Sequence, residues 1–110
     1  MSEARPPLAC DLGALTADER TRRAGLAARV AAQFREVRET SDGYAACLDP
    51  DPATVRDSFE WLLLERRCCP FLRLDLSFEP ADGPVWFHWR GGLGVKEFLS
   101  AAGFKARPRQ

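Results

Sequence analysis

"FLRLDLSFEPADGPVWFHWR", residues 71–90, decides the fold. Leu72, Leu74, Leu76 and Phe78 alternate with Arg73, Asp75 and Ser77, the period-two pattern of a half-buried strand. Glu79 to Pro84 is rich in turn formers. Val85, Phe87 and Trp89 then alternate with Trp86, His88 and Arg90. Two alternating runs joined by a turn predict an antiparallel hairpin.

Upstream lies a helix. Asp51 can cap its N-terminus and Pro52 suits its first turn, where no N–H is needed. Val55, Phe59, Leu62 and Leu63 are the expected buried stripe, and the helix should run to about Arg67. Pro70 stops it, because the residue before a proline is pushed out of helical space. Cys68 therefore falls in the last turn and Cys69 at the exit. Before this helix, "REVRETSDGYAACLD", residues 35–49, predicts a second hairpin turning at Ser41-Asp42-Gly43. Its first strand is charged, as suits an exposed edge.

A first helix over residues 17–33 follows from "TADE", a capping box at Thr16 to Glu19, and from Leu26, Val30 and Phe34 recurring every fourth residue. A last helix carries Val95, Phe98, Leu99 and Ala102, after Gly91 to Gly94, and Gly103 can end it. The order α-ββ-α-ββ-α predicts one α+β domain over residues 1–110. Its sheet is four-stranded and mainly antiparallel, with helices covering one face. Residues 1–9 read as a flexible lead-in and 104–110 as a polar tail.

Composition bounds the function. The 110 residues carry 16 basic and 16 acidic side chains, so no net field recruits nucleic acid or an anionic membrane. No apolar run approaches the roughly 20 residues that span a bilayer. The N-terminus "MSEARPPLAC" lacks the apolar stretch of a signal peptide, which points to the cytoplasm. In that reducing compartment the 4 cysteines are expected as free thiols, metal ligands or redox groups rather than a disulfide framework.

The chemistry concentrates at "ERRCCPF", residues 65–71. Thiolates select soft or borderline ions, Zn(II), Cu(I) and by the same softness Hg(II). There is no CxxC spacing, hence no zinc-ribbon signature. Neighbouring side chains in extended backbone point opposite ways, so Cys68 and Cys69 share an ion only if the helix exit kinks at Pro70. Cys10 sits in an irregular segment free to approach another loop, and is the expected third thiol. The sequence-level metal site is therefore Cys10, Cys68 and Cys69.

Two other readings stand beside this one. In a thiol redox protein, Cys68 or Cys69 would attack an oxidant, Cys10 or the neighbouring cysteine would resolve the intermediate, and Arg66 or Arg67 would stabilise the thiolate. In a non-catalytic interaction domain, such as a homodimer built on Trp86, His88 and Arg90, the cysteines would be apolar filler at a helix end. Cys47, in a strand beside Ala45 and Ala46, reads as packing. His88 alone rules out a multi-histidine site. "GGLGVKEF" lacks the ending of a phosphate loop, and Gly92 and Gly94 read as a tight turn.

"CDLGALTADER", "LERRCCPFLRLDL" and "GPVWFHWRGGLGVKEFL" together resemble a family of small bacterial proteins with an E-R-x-C-C-P-F core and a G-V-K-E-F-L-like last helix. The resemblance runs from Cys10 to about Leu99 and implies a heavy-metal or thiol context. Cys10, Cys68 and Cys69 match the family's cysteine pattern, and Cys47 does not. "RGGLG" departs from the T-G-x-x-G form expected there. The expected partner is thus a metal ion or small thiol-reactive ligand.

Overall fold

A computed structural model describes residues 8–109, so most of the lead-in, residues 1–7, lies outside the described residues. After a short 3-10 turn, Leu12–Ala14, the elements are α1 (Ala17–Ala31), β1 (Glu36–Thr40), β2 (Gly43–Leu48), α2 (Pro52–Cys68), β3 (Arg73–Phe78), β4 (Val85–Arg90) and α3 (Val95–Ala101). The domain is α+β, and its strands form one antiparallel sheet in the order β1-β2-β4-β3. The β3–β4 hairpin carries the period-two pattern into space. Leu74 pairs with Trp89 and Leu76 with Phe87, while Asp75 pairs with His88 on the opposite face.

Each helix begins where its sequence signals. Thr16 and Glu19 make the reciprocal capping box of α1, and Asp51 accepts from the Thr54 N–H at the start of α2. Gly103, at φ 109°, follows the end of α3. The helices cover one face of the sheet. Trp61 of α2 packs edge-on against Phe87, and Leu26, Val30, Val95 and Leu99 complete a core centred on Phe87 and Trp89.

One expectation for α2 is corrected. Its buried stripe is Ser58, Trp61, Glu65 and Cys68, while Phe59 and Leu63 are exposed. The run "WLLL" is apolar around much of the helix, so its periodicity leaves the rotation open. Trp61 removes the most apolar surface from water and turns its own face inward. That rotation carries Glu65 and Cys68 into the interior. The segment read as a polar tail is docked: Arg107 exchanges both backbone hydrogen bonds with Val37, at 2.8 and 3.0 Å, and Phe104 packs on Tyr44 and Trp89.

α1 and α2 lie antiparallel beneath the sheet. Arg23–Glu65, Arg29–Asp57 and Arg22–Glu60 pair across the seam. The first of these is largely buried and reaches the end of α2 that carries the cysteines.

Candidate thiol centre

α2 ends at Cys68 because Pro70 blocks continuation. Cys69 is the C-cap, with φ −126° and ψ 69°, yet its N–H still donates to the Glu65 carbonyl at 2.8 Å. This departure from both helical and extended backbone brings the two side chains to one side. The Cys68 and Cys69 sulfurs are 3.6 Å apart, and both residues are fully buried.

The segment before α1 is laid against this corner. Asp11 accepts from the Gly13 N–H and fixes the turn, and its own N–H donates 2.6 Å to the Cys68 carbonyl, one of the orphans at a helix end. Leu15 buries itself against Cys68 and Cys69. Arg20 donates to the Leu15 carbonyl at 2.9 Å, and Arg67 to the Ala14 carbonyl at 3.1 Å and to the Glu19 carboxylate. So held, Cys10 meets Cys69 and forms a disulfide with it, across a sequence separation of 59 and a Cα–Cα distance of 4.5 Å.

The approach of Cys10 to the α2 exit agrees with expectation; the bond itself is called for by the redox alternative rather than by the metal reading. Reducing-compartment reasoning favoured free thiols, whereas the backbone places these two cysteines within the Cα range of a disulfide. Cys68 and Cys47 remain free thiols, both buried.

A fourth group belongs to the corner. The Glu65 carboxylate, only 5% exposed, lies 3.8 Å from the Cys69 sulfur. Ligand atoms of Glu65, Cys68 and Cys69 all lie within 4.8 Å of one another. Arg23 neutralises Glu65 with a forked contact, Nη2 to Oε1 at 2.6 Å and Nε to Oε2 at 3.1 Å. Glu65 is not among the site residues read from the sequence. Its spacing, three residues before Cys68 and four before Cys69, was the available signal, since such positions share a helix face. Arg23, forty-two positions from its partner, had none.

The arginine facing the sulfurs is Arg23 rather than Arg66 or Arg67. Arg66 is exposed, and Arg67 is committed to Glu19 and Ala14. Burial, and then the Glu65 carboxylate, push the Cys68 thiol up from its ordinary value; Arg23 opposes them without prevailing. Cys68 is thus a neutral thiol at pH 7.

The other candidates lie elsewhere. Trp86, His88 and Arg90 point to the helix-free face of the sheet, as the alternation required. There they partner their neighbours: His88 Nδ1 and Arg90 Nη2 each reach Asp75, at 2.8 and 2.7 Å, and Arg38 lies over the Trp86 ring. Cys47 is buried on that face, 4.0 Å from Arg109 Nη1, and burial raises its thiol too. A cleft of about 630 Å³ between α1, Trp61 and residues 102–108 contains no cysteine.

No protein-family model, curated protein or solved structure matches the chain.

Proposed function

We propose that the reduced protein holds a soft metal ion through Cys10, Cys68 and Cys69, and that the Cys10–Cys69 disulfide is its ion-free, oxidised form. The observation that carries this reading is that the Cys69 sulfur meets both others, Cys10 through a disulfide and Cys68 at 3.6 Å, where two segments far apart in sequence come together. Zinc–thiolate bonds of about 2.3 Å imply a sulfur–sulfur edge of about 3.8 Å in a tetrahedral site. Cys68 and Cys69, at 3.6 Å, already have nearly that spacing.

Opening the disulfide takes two electrons and two protons. A pair of low-molecular-weight thiols supplies them and leaves as a disulfide. Cys10 then only has to move out from bonding distance. The neutral, enclosed Cys68 thiol is a poor nucleophile but a serviceable ligand, because a bound ion displaces the proton itself. The resemblance of "ERRCCPF" to proteins of heavy-metal or thiol context is compatible with this reading, whose role would be sequestration, transfer or sensing.

Titration of the fully reduced protein with Hg(II), Cu(I) and Zn(II) tests this. One ion per chain is expected, with thiolate charge-transfer absorbance, and a Cys47→Ala variant should bind as the parent does. Binding unchanged in a Cys68→Ser/Cys69→Ser double variant would sink the proposal.

The disulfide itself supports a second reading, redox sensing. Peroxide would convert one thiol to a sulfenic acid, releasing water, and a second thiol would expel another water to close the Cys10–Cys69 bond. Mass mapping after mild peroxide should then find this disulfide before any sulfinic acid. Slow, indiscriminate oxidation of all the thiols would count against it.

A further inference from the structure

We infer that the ligand best matched to this corner is trivalent arsenic, arriving as arsenous acid and leaving its three hydroxyls as water to become a tris-thiolate on Cys10, Cys68 and Cys69. The inference deepens the soft-ion reading and rests on it. Two features carry it: the number of groups free to coordinate, and the charge the corner can hold.

Among the described residues the carboxylate or imidazole donor beside these sulfurs is that of Glu65, and both its carboxylate oxygens are engaged by the Arg23 guanidinium. A zinc ion needs a fourth donor and would have to pull Glu65 from that fork or admit water to a corner where Cys68 and Cys69 are fully buried. Mercury(II) favours two sulfurs on opposite sides of the metal, whereas adjacent residues hold the Cys68 and Cys69 sulfurs 3.6 Å apart, on one side. Trivalent arsenic forms a three-bonded pyramid whose fourth direction is a lone pair. Three sulfurs complete it.

Charge gives the same answer. Arg23 cancels Glu65, and Arg67 cancels Glu19. Among the described residues, no uncommitted cation forms an ion pair or hydrogen bond with the sulfurs. Three thiolates around a monovalent or divalent ion leave the corner with net negative charge, which burial penalises. Around As(III) they leave none.

The exchange balances without an added base or oxidant. One As(OH)3 and three thiols give one tris-thiolate and three waters. Three S–H and three As–O bonds break, three As–S bonds form, each thiol proton leaves on a hydroxyl, and arsenic stays trivalent.

The test uses the full chain, reduced with a phosphine that is then removed, and sodium arsenite or zinc chloride as separate probes. Intact mass should rise by one arsenic less three hydrogens, and X-ray absorption should show three As–S bonds with no As–O bond. Arsenite should displace zinc at equal concentration. Cys10→Ser should lose one As–S bond, regain an As–O bond and weaken arsenite binding on the order of 100-fold, if the third ligand counts as much as the strongest outer-shell contacts do. The reduced parent controls for loss of the disulfide. Two As–S bonds in the parent, or arsenite failing to displace zinc, overturns the inference while leaving a soft-ion site intact. Binding of neither probe, nor of Hg(II) or Cu(I), overturns both.

Discussion

The Asp11 N–H donates to the Cys68 carbonyl at 2.6 Å, pinning the residue after one disulfide cysteine to the residue before the other. The segment is therefore fastened to the end of α2 by polar contacts that need no covalent bond. Reduction should leave the corner assembled and act mainly on the unfolded chain. Closing a loop across a separation of 59 is worth about 4 kcal/mol on the chain-entropy account. Urea unfolding of the parent should shift by about that much on adding reductant. Cys10→Ser should match the reduced parent and ignore reductant. A parent midpoint indifferent to reductant would show that the bond adds nothing in solution.

Arg23 and Glu65 make a largely enclosed pair, so removing one partner strands the other. Arg23→Ala should destabilise the protein by about 3 kcal/mol, because the buried Glu65 carboxyl is left without its partner. The double variant Arg23→Leu/Glu65→Leu should recover much of that loss. Chemical denaturation of the four proteins in the cycle measures it. A loss under about 0.5 kcal/mol, the range of ordinary surface substitutions, would mean the pair is solvated.

Gly43 was read as the last residue of a turn, but its role is close approach. A Cβ there would stand 2.0 Å from the Trp89 carbonyl oxygen and 2.8 Å from Arg90 Cα, both backbone atoms of β4. Gly43→Ala must push β2 from β4 at the centre of the sheet. It should cost at least the 1–3 kcal/mol typical of overpacking. At Gly92 an added Cβ meets nothing within 4 Å, so Gly92→Ala should be close to neutral. Thermal unfolding of the two variants, side by side, decides it.

The element order was legible because each piece had a local signal: alternation in β3 and β4, capping residues for α1 and α2, Pro70 as a stop. The convergence of Cys10 on the α2 exit could be argued from an otherwise unmotivated cysteine beside an open helix end. The rotation of α2 could not, since "WLLL" offers several equivalent faces until the sheet selects Trp61. Glu65 and Arg23 followed from that rotation. Their pairing is a tertiary fact, set by how α1 lies along α2.

Glu19 accepts from Arg67 and from the Thr16 amide, which holds its carboxyl at about 2, below its ordinary value of 4.5. A depressed carboxyl contributes stability that is complete above pH 4.5 and lost as pH falls toward 2. Acid titration of stability should show the parent ahead of Glu19→Gln at neutral pH, with the gap closing through that window. Both side chains are partly exposed, so the effect should be modest and reduced by salt. A gap that persists below pH 2 would assign the loss to something other than this ionisation.

Thiol accessibility distinguishes the corner's two states. In the oxidised protein the free thiols, Cys47 and Cys68, are both fully buried, so native alkylation with iodoacetamide should be negligible, and two sites should appear only in denaturant. After gentle reduction Cys10 is the one member of the corner that is only half-buried. It should be labelled first, with Cys68 and Cys69 following at the rate of local opening. A soft ion held by all three sulfurs should suppress labelling of Cys10, Cys68 and Cys69 together and leave the slow labelling of Cys47 unchanged, because Cys47 lies on the opposite face of the sheet. Peptide mapping over a time course reads all four rates at once. Protection of Cys68 and Cys69 without Cys10 would reduce the centre to two thiols. Protection that extended to Cys47 would mean the ion acts by stabilising the whole fold rather than by binding at this corner.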